Sequence, residues 1–370
     1  MLSDKSRNIE KRTIISYIPS QQWDTGIRKH FLLLCAEWVK TGCHVVIICS
    51  DCSGMTEEGF HCAVPPECEL YYIKTDESSR VRNVIEKLGM MKIIVRKYPN
   101  AVFLGLFNPA IRLFSISKLL WHIKMVVAER NDPRMSPPQI RKRIIRNICF
   151  SIADKCIFQT SEVKELFPLF IQNKATVIPN LVNPKIPLRY EGKRRDTFVA
   201  VGRLTKQKNY PLLLQAFGML LEEFPNYTLE IYGEGEEKKN LMELCQKEKL
   251  TEQVSFMGFT ENVLNKIIDA KGYVMSSDFE GQSNSMLEAL CIGLPVICTD
   301  YPSGGARKLI YNGKNGILVP VGDAHAIYKG MKRIIMDEAF AMSIASEATK
   351  IKKRYRADAI AEKWLSVIFS

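Results

Sequence analysis

The chain has 370 residues, of which 46% are hydrophobic and 25% charged, which is ordinary for a folded protein and enough for two domains with proper cores. Its apolar runs are too short to cross a bilayer, and its polar start, MLSDKSRNIEKR, lacks the apolar stretch of a signal peptide. The net charge of +12 calls for an acidic partner such as nucleic acid, anionic lipid or a phosphorylated substrate, and residues 112–147 concentrate it, with nine Lys/Arg against Glu129 and Asp132.

Residues 13–18 (TIISYI) predict a first strand, followed by a polar loop and a helix over 26–40 that Gly42 stops. Further strands are expected at 44–49, 70–73, 101–107, 124–128, 155–158 and 176–178. Helices are expected over 79–98, from Asn108, over 137–152 and over 161–167. Strand and helix alternating at this rhythm predict a parallel, doubly wound sheet. Residues 180–196 (NLVNPKIPLRYEGKRRD) break the pattern with two prolines and a run of charge, and read as a linker. The rhythm then restarts. Strands at 197–201, 228–232, 254–257, 272–275, 295–298 and 316–319 alternate with helices over 210–224, 236–247, 262–270, 285–291 and 305–311, and helices close the chain. The expected fold class is α/β, with two Rossmann-like doubly wound parallel-sheet domains, 1–182 and 183–357, facing across a cleft. Ligands of open parallel sheets bind beyond the C-terminal strand ends, so the loops there are the candidate site.

In the second half, the loop GRLTKQKN (202–209) sets Arg203 and Lys208 at a strand end, directly before a helix. Two cations beside a helix N-terminus suit an anion, most naturally a diphosphate; a solvated basic loop is the alternative. In the stretch 274–300, Glu280 lies in a loop and Glu288 on the helix that follows. Ser285 to Glu288 also spells the S-x-x-E capping box, in which Glu288 would merely satisfy a backbone N–H, and Glu280 could be a solvated loop acid. The loop YPSGG (301–305) is either a nest for phosphate or sugar oxygens or a tight turn. GEGEE (233–237) half resembles a dinucleotide fingerprint, but its three glutamates would repel a pyrophosphate.

In the first half, WDTG (23–26) follows strand one, and Gly26 would let backbone approach a ligand. Glu129, Arg130, Asn131 and Asp132 follow strand five, as site residues or as a salt-bridged turn. Over 138–152, Ile140, Ile144, Ile145, Ile148 and Ile152 share one helical face, while Arg141, Lys142, Arg143 and Arg146 lie off it. The pattern predicts a surface helix packed on its sheet; a basic face that meets anionic lipid headgroups is the alternative. The 11 cysteines, odd in number and set in apolar patterns, read as reduced buried thiols. Cys49 and Cys52 have zinc-like spacing, but Cys62 and Cys68 do not complete it, so loop thiols are expected rather than a metal site.

Glu280 and Glu288, as E-x7-E within EGQSNSMLEALCIGLPVICTD, together with Val201-Gly202-Arg203 and Lys208, resemble the large retaining nucleotide-sugar glycosyltransferase family 4, of GT-B fold. The likeness is close from residue 198 to 321. AERNDPR (128–134) and YPSGGAR (301–307) resemble bacterial members that build capsule, exopolysaccharide or O-antigen repeats. The resemblance implies that Arg203 and Lys208 hold the donor diphosphate, that Glu288 takes the ribose hydroxyls, and that Glu280 lies near the donor sugar. The backbone of Gln282, Ser283, Asn284 and Ser285 would meet sugar and phosphate, and Gly258-Phe259 would be the base-binding turn. Gly26, Gly202, Gly281 and Leu287 complete the implied donor-binding set. Glu129-Arg130 stands where the family often has a sugar-contacting His, which makes Glu129 a candidate catalytic residue and Arg130 and Asn131 candidate sugar or acceptor contacts. The final helix, 358–369, is expected to cross back onto the first domain.

The implied activity is retaining transfer of a hexose or N-acetylhexosamine from a nucleoside-diphosphate sugar, with UDP the expected carrier, to a membrane-associated, polyprenyl-linked glycan. The expected setting is the cytoplasm, or the inner face of the cell membrane through Arg141, Lys142, Arg143 and Arg146. No metal, cofactor or nucleic acid is expected. The rivals are a sugar-nucleotide epimerase of the same fold, a glycoside hydrolase with Glu280 and Glu288 as acid and base, and a basic nucleic-acid-binding module. The last would need a recognition helix, stacking aromatics or a zinc finger, none of which the sequence offers.

Overall fold

The computed structural model describes residues 12–19, 26–50, 64–73 and 80–370. Two parallel sheets follow one another along the chain. The first has seven strands in the order β3-β2-β1-β4-β5-β6-β7: β1 Thr13–Ile18, β2 His44–Ser50, β3 Glu69–Ile73, β4 Val102–Gly105, β5 Lys124–Ala128, β6 Lys155–Phe158 and β7 Ala175–Val177. The second has six in the order β10-β9-β8-β11-β12-β13: β8 Arg195–Val201, β9 Thr228–Tyr232, β10 Val254–Gly258, β11 Ala270–Met275, β12 Val296–Thr299 and β13 Ile317–Val319. The central strands read as unbroken apolar runs because helices cover both of their faces. Ile14, for example, is fully buried between its partners Val45 and Val102.

The helices of the first half are α1 Gly26–Lys40, α2 Arg80–Lys97, α3 Asn108–Trp121, α4 Ile140–Ile152, α5 Ser161–Glu165 and α6 Leu169–Gln172. The β1-to-β2 crossover runs one way across the sheet, while those from β3 to β4, β4 to β5 and β5 to β6 run the other way. Right-handed crossovers therefore place α1 on one face and α2, α3 and α4 together on the opposite face. The second half carries α7 Tyr210–Leu221, α8 Lys238–Lys247, α9 Val263–Ile267, α10 Asn284–Cys291, α11 Ala324–Met336, α12 Glu338–Thr349 and α13 Ile351–Arg354. The last helix, α14 Ala357–Ile368, packs on the first half. There Trp364 is fully buried in the first core, and the Trp38 indole N–H of α1 donates to the Ala361 carbonyl at 3.1 Å.

Several expectations need correction. No regular helix forms over 305–311. Gly304 takes a left-handed φ of 76°, and a Cβ on Gly305 would lie 1.9 Å from the Gly281 carbonyl oxygen, so this segment is a packed turn. The helix expected over 262–270 ends at Ile267, because Ala270 already pairs with Arg195 in the sheet. The linker is not free at its start: Asn180, Leu181 and Val182 are buried, and the Val182 N–H donates to the Tyr355 carbonyl at 2.8 Å.

The largest reversal is in α4. The isoleucine stripe does not pack on the sheet: Ile140, Ile144, Ile145 and Ile148 are exposed, while Arg146, Cys149 and Phe150 are buried. Arg146 is held inside by the carbonyls of Pro133 at 2.9 Å and Ser136 at 2.7 Å, and its guanidinium lies over the Phe167 ring. Arg143 donates to the carbonyls of Pro137 and Pro138. Of the four basic residues assigned to a lipid-facing surface, Arg141 and Lys142 are exposed, whereas Arg146 is unavailable and Arg143 is half-buried.

Candidate functional site

The C-terminal strand ends of the two sheets open on a shared cleft of about 770 Å³. The second half builds its wall from three strand tips. At the end of β8, Gly202 leaves room for the Lys208 side chain; a Cβ there would sit 2.7 Å from Lys208 Cε. Lys208 ends a short 3-10 turn, and Asn209 follows in the left-handed region at φ 44°. The Asn209 side chain caps α7 by accepting the Leu212 N–H, and its amide donates to Asp278 at 2.7 Å. Ser276 Oγ donates to the Lys208 carbonyl at 2.9 Å, so the loop after β8 and the loop after β11 are stitched together.

That stitching brings Lys208 Nζ to 2.7 Å from Glu280 Oε1, with both side chains largely buried. Arg203 is exposed on the same cleft wall. Ser283 caps α10, its hydroxyl accepting the Met286 N–H, and Ser283, Asn284 and Ser285 line the cleft at that helix's N-terminal turn. The positive end of the helix dipole therefore faces the cleft beside two cations.

Glu288 also lines the cleft. Because the cap is Ser283 and not Ser285, the S-x-x-E box does not form, and Glu288 is not tied to the helix start. Burial pushes its carboxyl up to about 7, with Lys29 opposing the shift. At the tip of β10, Gly258 adopts φ 72°, and Phe259 stands 55% exposed at the cleft.

The first half supplies the opposite wall. Gly26 accepts from the Asn284 side-chain amide at 3.0 Å through its carbonyl, so α1 begins against the N-terminus of α10. Lys29 Nζ lies 5.3 Å from the centre of the Phe259 ring, a cation–π contact across the cleft. Arg130 and Asn131 line the cleft. Arg130 is buried, which lowers its pKa to about 9; one guanidinium nitrogen donates to the Asn180 side chain, and the group lies over Trp364. His30 is buried beside it with neither ring nitrogen hydrogen-bonded, and burial and the Arg130 charge both favour its neutral form. Asn180 ties the halves together: its N–H donates to Gln282 Oε1 at 2.5 Å, and its amide to the Gln282 carbonyl at 2.7 Å. Gln159 Oε1 accepts the Gln282 N–H at 2.9 Å.

Arg203, Lys208, Glu280, Glu288, Gly26, Gly202, Gly258, Phe259, Gln282, Ser283, Asn284, Ser285, Arg130 and Asn131 all meet at this cleft. Three anticipated residues do not line it. Glu129 is buried 3.3 Å from Arg146 and accepts the N–H groups of Arg130 and Asn131 at 3.0 and 3.2 Å, so it shapes the loop from inside. Leu287 is wholly within the second core, its N–H bonded to the Ser283 carbonyl. Gly281 is a packing position, where a Cβ would fall 2.1 Å from Gln159 Oε1. The YPSGG loop also lies outside the cleft: Thr160 Oγ1 donates to the Ser303 carbonyl at 2.7 Å, joining the two halves. Lys29, His30, Gln159 and Asn180 were not anticipated. The position of Lys29 and His30 one turn into the first helix is the signal that could have found them. Of the zinc-spaced cysteines, Cys52 and Cys62 lie outside the described residues, as do Trp23, Asp24 and Thr25. Among the described residues no group of three His, Cys, Asp or Glu is placed to hold a metal ion.

Comparison with known proteins matches residues 189–351 to the family model of glycosyl transferases group 1. The chain is 31% identical over 282 residues to an uncharacterized glycosyltransferase of Methanocaldococcus jannaschii, covering 67% of this chain and 70% of that one. It is 33% identical over 162 residues to the Campylobacter jejuni N-acetylgalactosamine-N,N'-diacetylbacillosaminyl-diphospho-undecaprenol 4-alpha-N-acetylgalactosaminyltransferase, covering 44% of this chain and 43% of the relative. Among solved structures, S. aureus TarM, in complex with fondaparinux, alpha-GlcNAc-glycerol and UDP, superposes with a TM-score of 0.83 at 14% identity, over 97% of this chain and 100% of that chain. That likeness shows the fold: two Rossmann-like domains facing across a cleft, the GT-B architecture.

Proposed function

The chain belongs to the group 1 glycosyl transferases, and from that premise we propose that it moves a hexose or N-acetylhexosamine from UDP to a polyprenyl-linked glycan, with retention of configuration, in bacterial surface polysaccharide synthesis. The observation that carries this reading is the convergence of Lys208, Arg203, Glu280, Glu288 and the N-terminal turn of α10 on one wall of the cleft.

The chemistry follows from where charge must go. As the bond between sugar C1 and the phosphate oxygen breaks, negative charge grows on the β-phosphate. Lys208, Arg203 and the helix end face that charge, and each fixed donor contributes on the order of 3 kcal/mol. The departing phosphate oxygen takes the acceptor's proton on the face it leaves, so the new bond forms with the configuration retained. In this reading the protein's own cations do the work a divalent metal would do. Glu288, once ionised, accepts from the two ribose hydroxyls. Phe259 and the Gly258 turn take the base, and Lys208 leaves Glu280 for the phosphate, freeing that carboxylate for a sugar hydroxyl. Arg130 and Asn131 face the sugar and acceptor from the other wall. The UDP carrier is supported by the ligand named with TarM, and the polyprenyl acceptor by the name of the Campylobacter relative.

The test is Lys208→Ala, assayed with a panel of UDP-sugars. Turnover should fall about a hundredfold. Turnover equal to that of the native chain would remove Lys208 from the mechanism. Glycoside hydrolysis without any nucleotide would replace the transferase reading with a hydrolase.

A further inference from the structure

Exposed apolar side chains gather on one face of the first half. On α4 they are Ile140, Ile144, Ile145 and Ile148, and on the adjoining α3 they are Ile116, Leu119 and Leu120, each between 42% and 68% exposed. The spacing i, i+4, i+8 on α4 and i, i+3, i+4 on α3 makes each set a stripe along its helix. α2, packed on the far side of α3, adds exposed Val81, Val84 and Ile85. A monomer seldom leaves so many large branched side chains together in water.

The charge on these helices is one-sided. α3 and α4 carry no acidic residue, and Glu86 is the single carboxylate of α2. Arg141 and Lys142 flank the isoleucine stripe and are exposed, as are Lys92 and Arg96 on α2. A protein partner would need an apolar surface with an acidic border. A bilayer containing anionic lipid offers both by its nature: acyl chains for the isoleucines, and phosphate for the arginines and lysines. No helix among the described residues is long and apolar enough to cross a membrane, so the contact is one of lying on the surface.

The position of this face fits that use. The loop between β5 and α4 carries Arg130 and Asn131, which line the cleft, then Met135, which is exposed, and it leads directly into Ile140. The apolar stripe therefore starts where the cleft opens.

We propose that the outer face of α3 and α4, with α2 beside it, is a docking surface for an anionic lipid bilayer, with Ile144, Ile145, Ile148, Leu119 and Leu120 entering the headgroup boundary and Arg141 and Lys142 meeting lipid phosphate. Its purpose, holding the cleft mouth against a lipid-linked acceptor, rests on the transferase reading above. The binding itself does not.

The experiment is co-sedimentation of the full chain, without nucleotide, with vesicles of phosphatidylcholine alone or mixed with phosphatidylglycerol. The native chain should partition onto the mixed vesicles and bind phosphatidylcholine about tenfold less. Ile144→Asp with Ile148→Asp should lower partition onto mixed vesicles by at least about tenfold. Arg141→Glu with Lys142→Glu should lower it by a similar factor. Because these four side chains are exposed, each variant should keep the native Tm and the native rate of UDP-sugar turnover with a water-soluble acceptor. Partition of the isoleucine variant equal to native would overturn the proposal. So would a native chain that ignores both vesicles, or one that forms dimers which the isoleucine variant abolishes. If partition behaves as expected but no UDP-sugar is turned over, the proposed UDP donor falls and the docking surface stands.

Discussion

Two helices that each follow a strand of a doubly wound sheet treat their side chains in opposite ways. α10, after β11, buries Met286, Leu287 and Leu290 completely and turns Ser285 and Glu288 to the cleft. α4, after β5, buries Arg146 and leaves four isoleucines in solvent. Both are amphipathic, and both stripes are readable from spacing. The difference teaches that a helical period locates a stripe without saying which side of it faces the core. In α10 the stripe meets the second sheet. In α4 the sheet side is already closed by Cys149, Phe150 and an arginine whose donors are satisfied by carbonyls of the preceding loop, so the isoleucines have nowhere inside to go.

The contrast can be broken most sharply at Arg146. Arg146→Ala would leave Glu129 buried without its cation and two carbonyls without their donor. It should cost about 4 kcal/mol by denaturant unfolding, and a loss under about 1 kcal/mol would mean the buried arginine does not organise this loop.

Next in size is a matched pair. Leu287→Ala should cost about 3 kcal/mol, because its cavity opens in a closed core, whereas Ile144→Ala should change stability by less than about 0.5 kcal/mol. Equal costs would show that α4 packs against something in the folded chain.

Comparable in size, but dependent on pH, is the effect at Glu288. Its carboxyl titrates near 7 when folded and near 4.5 when unfolded, so the folded chain holds a proton that the unfolded chain releases between those values. Native stability therefore falls as pH rises through that window. Glu288→Gln removes the fall. Its stability advantage should be absent at pH 4, grow through the window and level off above pH 7 at about 3 kcal/mol. On the proposed role of Glu288 in holding ribose, the native KM for the donor should fall over the same range as the carboxyl ionises, while that of Glu288→Gln stays flat. A variant whose stability shows the same pH dependence as the native chain would remove Glu288 as the buried acid.

Much of the cleft wall in the second half was legible because its signals are local. Gly202, Glu280 and Lys208 sit in the loops that leave the strand ends, where the fold puts ligands, and Glu288 sits in the first turns of the helix that follows one of them. The first half was harder to read. Glu129, adjacent to cleft-lining Arg130, points inward because Arg146, a turn and a half into α4, claims it. Leu287, one residue before Glu288, belongs to the core because a helix turns by 100° per residue. The capping box failed by two residues, since Ser283 took the cap and released Glu288 to the cleft.

By itself the sequence determined the alternation of strand and helix, the two sheets, the cleft-lining loops of the second half and the glycines that let them approach, since turn chemistry and hydrophobic period act over a handful of residues. Only the tertiary structure decided which way the α4 stripe faces, that Lys29 would meet Phe259 across the cleft, and that Trp364, from the far end of the chain, would cover Arg130. Those contacts join residues hundreds of positions apart, and the burial of a side chain is set by whatever the rest of the chain brings to its surface.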